Sequence, residues 1–233
     1  MGLKESGLRR SLRNVSVGID AIPDSEDLHA RYDFRVEDGS LPVTDQTGNG
    51  NDLDSGSYSG VGVDINGKQA GLFDDDNDDA IFGDFSALSQ PNHIFASFEL
   101  VSDPNDNSFI YDSQGGAFDQ AFGPGRDNGA YGAVAGSAIV TEQLGDSGDI
   151  VVSSVLFNGE NSSIDLNDGT ATASGDAGSE TLDGFRIGSA SRGDTVDYTN
   201  VKVGEVLVYS DDKSDSEQEI IDHLTQEWGP TQF

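Results

Sequence analysis

The run Gly-Asp-Ser-Gly at 145–148 has the residue types found around a serine-protease nucleophile. Ser147 would need a histidine and an aspartate in triad geometry. The chain offers His29, His93 and His223, which fall on a strand near the leader, the start of another strand and the closing helix. A four-residue match in a chain this rich in Gly, Asp and Ser is expected by chance, so protease chemistry is not assigned. Retaining glycoside hydrolysis needs two carboxyls about 5–5.5 Å apart facing one cleft, as Glu-x-Asp-x-Glu within a strand would supply. That pattern is missing. Glu99 and Glu205 are the acidic residues inside strongly apolar strands, and each is expected to stand alone.

The acidic run at 74–79 places carboxyls at alternate positions, Asp74, Asp76 and Asp78. An EF-hand loop would need Gly at its sixth position and Glu at its twelfth, where Asp79 and Phe85 stand. The three could still join Asp45, Asn49 and Asp52 as oxygen ligands for calcium. A solvated acidic hairpin explains them equally, because no spacing selects the ion. No other cofactor is implied. The glycine-rich stretch 115–136 carries Phe118, Phe122 and Tyr131. Aromatics on rim loops can stack on sugar rings, but core residues of a meander are the expectation. Asn14 and Asn161 lie in Asn-x-Ser sequons, expected to be silent without export.

The elements that must position these residues have a period of two. In 30–36, Tyr32, Phe34 and Val36 point one way and Arg31, Asp33 and Arg35 the other; Ile94, Ala96, Phe98 and Leu100 share a face. Residues 149–157 and 201–209 are apolar on both faces, as central strands are. Many short strands separated by Gly, Asn and Asp turns predict an all-β antiparallel jelly-roll sandwich over 28–233. One α-helix closes it, predicted at 214–228. Ser214 is the expected N-cap, Glu217 completes a capping box, and Ile220, Ile221, Leu224 and Trp228 form an apolar stripe ended by Gly229 and Pro230.

Charge narrows the setting. The net charge is -31, from 43 acidic and 12 basic residues, and Asp outnumbers Glu about threefold. Such self-repulsion is relieved when salt shortens the Debye length to about 3 Å at 1 M, so a halophilic surface is expected. Nucleic acid would be repelled. Absence of cysteine excludes disulfides and thiolate chemistry. No apolar run approaches a membrane span and no signal-peptide h-region opens the chain, so a soluble, unexported protein is expected. Four of the 12 basic residues, Lys4, Arg9, Arg10 and Arg13, lie within the first 13 positions, and Leu8 and Leu12 sit one helical turn apart. Residues 1–27 are read as a docking arm, with Leu8, Arg9, Arg10, Leu12 and Arg13 as its partner-binding residues.

The segment 203–229, a strand bearing Glu and Val-Tyr followed by a Ser-Asp-Glu helix, resembles the C-terminal signature of concanavalin A-like, laminin-G-type jelly-roll domains. Residues 32–53, 67–83 and 185–190 are similar to earlier blocks of that family, so the resemblance spans about 28–229. The leader at 7–25 resembles that of virion proteins from tailed viruses of halophilic archaea. Together these imply a non-enzymatic structural or adhesion protein located in the virion, a capsid decoration, turret or tail-associated module. It would dock on other virion subunits through its arm, form a trimer or pentamer, and touch host surface glycans. The alternative is a free, lectin-like carbohydrate-binding module of a halophilic archaeon.

Overall fold

The computed structural model describes residues 22–102, 108–116, 118–126, 130–192 and 195–229. Two antiparallel sheets face each other. The larger contains β1 (Leu28–Asp33), β3 (Gly60–Ile65), β4 (Lys68–Phe73), β6 (Asn92–Leu100), β11 (Ile150–Phe157), β12 (Ser162–Leu166), β13 (Ala171–Gly175) and β17 (Val201–Tyr209). Its order is β13-β12-β11-β6-β17-β4-β3, with β1 also paired to β17. The second contains β2 (Ser55–Ser57), β5 (Ala80–Gly83), β7 (Tyr111–Asp112), β8 (Ala121–Arg126), β9 (Ala130–Val134), β10 (Ala138–Leu144) and β14 (Phe185–Ile187), ordered β10-β9-β8-β7-β14-β5-β2. A separate hairpin pairs β15 (Ser189–Arg192) with β16 (Thr195–Tyr198). This is the all-β sandwich that the alternating pattern predicts.

The core between the sheets is aromatic. Tyr32, Phe34, Phe98, Tyr111, Phe122 and Tyr131 are buried in one cluster with aliphatic residues of both sheets. Phe122 and Tyr131, from the glycine-rich stretch, are therefore core residues, as expected; Phe118 instead packs on Phe109, with ring centroids 5.0 Å apart. Tyr32 and Phe34 point inward as the alternation requires, but Val36 is 62% exposed. The chain turns after β1, where the Val36 N–H bonds Asp33 O, so the period ends before Val36.

Gly204 controls what β17 shows to each side. The β17–β6 register slips between Val203 and Glu205, a bulge that moves the alternation by one residue. Val201, Val203, Val206 and Val208 join the inter-sheet core, while Leu207 and Tyr209 join the cluster on the opposite face. That face is covered by α1 (Glu217–Trp228), whose Ile220, Ile221, Leu224 and Trp228 are all buried there. Burying each is worth roughly 1.5–3 kcal/mol. A β-carbon at Gly204 would lie 2.6 Å from the Trp228 ring, so glycine is what lets the indole seat.

The helix begins at Glu217, three residues later than predicted, and the capping box does not form. The Ser214 hydroxyl bonds Asp212 instead, at 2.5 Å, Ser216 occupies the N-cap position, and the Glu217 carboxylate accepts from Ser154 on β11. A tertiary partner has outcompeted the local one. Residues 22–27 belong to the same cluster: Ile22 is buried, the Tyr209 hydroxyl donates to Pro23 O at 2.8 Å, and Lys213 pairs with Asp27 at 2.5 Å. The arm residues Leu8, Arg9, Arg10, Leu12 and Arg13 lie outside the described residues. Among the described residues no helix is long and apolar enough to cross a membrane.

Candidate functional site

Glu205 does not stand alone. Its directly opposed neighbour on β1 is Asp33, and Arg31 bridges both, with Nε to Glu205 at 2.7 Å and an Nη to Asp33 at 3.1 Å. Arg35 adds a bond to Asp33 at 2.7 Å and lies 5.2 Å from the Trp228 ring centroid. These carboxyls are neutralised by arginines beneath α1. They tie helix to sheet and do not face a cleft.

The metal candidates are likewise engaged by the fold. Asp74 accepts from Asp76 N–H and from the Asn77 amide, each at 3.0 Å, which closes a 3-10 turn at Asp75–Asn77. Asp78 ends that turn in a left-handed conformation. Asp45 is buried and accepts N–H bonds from Arg31, Thr47 and Asn51, while Asp52 accepts from Asp45 N–H at 2.7 Å. Asn49 donates to the carbonyls of Leu28 and His29. These side chains organise two turns, and no group of three or more Asp, Glu or His disposed to hold a metal occurs among the described residues.

Serine-nucleophile chemistry also finds no support. The Ser147 hydroxyl donates to Val101 O at 2.8 Å. His93 does touch a serine, Ser154, at 2.7 Å. Its Nδ1 accepts the Lys213 N–H, so Nε2 carries the proton and donates to Ser154, which donates in turn to Glu217. A histidine in that tautomer cannot take the serine proton. Burial lowers its pKa to about 3, which keeps it neutral.

What sequence reading missed is the surface around β13, whose five residues are all at least partly exposed. Three hollows meet there. One of about 380 Å³ lies between β12, β13 and the start of α1, lined by Ser163, Asp165, Thr172, Ser174 and Glu217. A second of about 440 Å³ lies on the β10 side, lined by Glu142, Thr170, Ala171 and Thr172. The third, of about 220 Å³, opens at the end of the sandwich, where Tyr131, Asp149, Asn167 and Thr170 meet the aliphatic Val151 and Leu166. The turn 167–169 shapes this end. Asn167, Asp168 and Gly169 all have positive φ, and Gly169 N–H is fixed by Asp165 at 2.7 Å. The turn itself is visible in Asn-Asp-Gly-Thr; the short, weakly apolar β13 beside it carries no strand signal. Burial, with the charges of Asp165 and Asp212, raises the Glu217 carboxyl, against the Ser154 bond that lowers it.

A second polar cluster lies on the outer face of the smaller sheet. Asp112 is fully buried beside its cross-strand partner Arg186; its Oδ2 accepts Ser191 N–H at 2.9 Å, and its Oδ1 has no partner among the described residues. Burial raises its carboxyl to about 7, with Arg186 and the N–H groups of Ser191 and Ser113 opposing. The Arg186 guanidinium stacks over Phe82, 5.1 Å from the ring centroid.

No protein-family model and no curated protein sequence matches this chain. Solved structures do match its fold. Domain 4 of AbnA, an extracellular GH43 arabinanase from Geobacillus stearothermophilus in complex with arabinotriose, aligns with TM-score 0.57 and 15% identity, over 78% of this chain and 92% of that one. Trypanosoma rangeli sialidase in complex with sialic acid aligns with TM-score 0.57 and 15% identity, over 88% of this chain but only 34% of that one. The binding domain of Paraclostridial Mosquitocidal Protein 1 aligns with TM-score 0.55 and 11% identity, over 87% and 55%. At these identities the likeness establishes a shared β-sandwich fold. It does not transfer an activity.

Proposed function

We propose that this protein is a carbohydrate-binding module that holds glycan along the rim formed by β13, without hydrolysing it. The observation that carries the reading is the convergence of three adjoining hollows on one exposed strand. Their lining supplies hydroxyls from Ser163, Thr170, Thr172 and Ser174, carboxyls from Glu142, Asp149 and Asp165, and an amide from Asn167. Sugar hydroxyls both donate and accept, and a mixed lining of this kind answers them. Five residues of extended strand run roughly 17 Å, the length of a few sugar units. The arabinotriose and sialic acid in two of the similar structures support the same reading.

Glu217 and Asp165 share one hollow, but Glu217 already accepts the Ser154 hydroxyl, which is itself tied to a neutral histidine. This arrangement serves anchoring of α1 better than proton transfer to a leaving group. Two measurements test the proposal in about 2 M KCl, where the charge is screened. Saturable binding of glycans, weakened by Thr172→Arg, is the expected outcome. Shortened oligosaccharide after incubation would overturn the non-hydrolytic part, and equal binding by the variant would remove β13 as the site.

The basic residues Lys4, Arg9, Arg10 and Arg13, set against a net charge of -31, favour a compatible second reading: the module is mounted on a virus particle through its leader, as a trimer or pentamer. Deleting residues 1–21 spares Ile22 and Pro23, which hold the sandwich. The deletion should abolish incorporation into particles while leaving sugar binding intact. Unchanged incorporation would sink this reading.

A further inference from the structure

We propose that the hollow beside Tyr131 is an end-recognition subsite that takes the terminal unit of a neutral glycan, so that the module captures chain ends. The inference rests on the carbohydrate reading above and assigns that rim a specificity it does not otherwise have.

Tyr131 is 1% exposed and packs against Phe98 and Phe122, yet its hydroxyl has no hydrogen-bond partner among the described residues. A buried hydroxyl without a partner costs about 1–3 kcal/mol, which a phenylalanine would avoid. Tyr131 lines the hollow, and the charges of Asp149 and Asp146 reach its hydroxyl, adding to the burial that raises its pKa. The remaining polar groups are held in defined roles. Asn167 Oδ1 accepts Val152 N–H at 2.8 Å, which leaves its amide N–H₂ as a donor. Thr170 donates to Asn167 O at 2.9 Å, which leaves its oxygen as an acceptor. Asp149 accepts from Asp146 N–H at 3.0 Å through Oδ2, which leaves Oδ1 as an acceptor. Val151 and Leu166 provide an apolar wall.

A sugar ring has the matching character, with C–H groups toward the aliphatic wall and hydroxyls toward the mixed donors and acceptors. Size limits the occupant: at about 220 Å³ the hollow falls below the roughly 300–1,000 Å³ that drug-sized ligands occupy. One ring fits, and the rest of the chain must leave along β13, since Thr170 and Ala171 line both this hollow and the next. Charge limits it further. Asp149 and Asp146 would repel a carboxylate-bearing sugar, on a protein already at -31.

The test is calorimetric titration, in about 2 M KCl, of full-length protein with an array of neutral mono- and trisaccharides including arabinose and arabinotriose, and with sialic acid as the anionic probe. Tyr131→Phe should bind both the neutral monosaccharide and the trisaccharide about tenfold more weakly, equivalent to about 1.4 kcal/mol. Its unfolding midpoint should be equal or higher, because the partnerless hydroxyl is gone. Thr172→Arg should weaken the trisaccharide alone, and sialic acid should bind at least about tenfold more weakly than the neutral sugars. If neutral sugars bind and Tyr131→Phe binds them equally, or if sialic acid is preferred, the end subsite is wrong and the rim reading survives. If no saccharide binds the wild type, the carbohydrate reading itself falls, and this inference with it.

Discussion

Glu205 Oε2 accepts the indole N–H of Trp228 at 3.0 Å, joining the last strand to the last turn of the helix that covers it. The same carboxylate takes Arg31 through its other oxygen at 2.7 Å, so one fully buried acid fixes β1, β17 and α1 together. Neither residue lies at the β13 rim. Their role is to keep the helix seated, and with it Glu217, which lines the rim.

Removing that charge should be costly. Glu205→Gln removes one of the two carboxylates that hold the buried Arg31 and leaves Asp33 as the other, so the loss should approach but not exceed the roughly 3–5 kcal/mol of a buried pair stripped of one partner. Glu99→Gln is the control, because the Glu99–Lys202 pair at 2.7 Å keeps about one-fifth of each side chain in water, where the freed lysine can be solvated, and should cost less than the fully buried Glu205. Urea unfolding of both variants should rank them clearly. Equal losses would mean that the buried network does not hold the helix.

Asp112 and His93 should give stability opposing slopes in pH. The Asp112 carboxyl is raised from 3.8 to about 7, so between those values the folded state keeps a proton that the unfolded state has lost. Stability therefore falls as pH rises from about 4 to about 7, by up to about 4 kcal/mol, and the loss is complete above that. His93 is lowered from 6.5 to about 3, so the unfolded state gains a proton that the folded state refuses, and stability falls as pH drops below about 6.5. In Asp112→Asn the fall in stability between about pH 4 and 7 should shrink relative to the wild type, and the variant should exceed the wild type at pH near 8. A difference between the two proteins that does not change with pH would contradict the buried position of Asp112, whose Oδ1 has no partner among the described residues.

Salt should stabilise the fold strongly. With a net charge of -31, repulsion acts over roughly 10 Å at 0.1 M and only about 3 Å at 1 M, so the thermal midpoint should climb steeply between about 0.1 and 2 M KCl. A flat midpoint would show that the acidic surface is not an adaptation to salt.

The sandwich, the closing helix and the inward or outward facing of side chains in β1 and α1 were legible in the sequence. These follow from apolar periodicity, which is local: Tyr32 and Phe34 inward, Arg31 and Asp33 outward, and Ile220, Ile221, Leu224 and Trp228 on one stripe. Tertiary structure alone decided which local partners won and which polar residues met. Ser154 on a distant strand drew Glu217 away from the predicted capping box. The Gly204 bulge turned Glu205 under the helix, where Arg31 and Trp228 meet it. The β13 rim was illegible for the same reason. Its Tyr131, Asp149, Asn167 and Thr170 come from three separate stretches of chain, and a hollow made by the ends of two facing sheets leaves no period or spacing in the sequence.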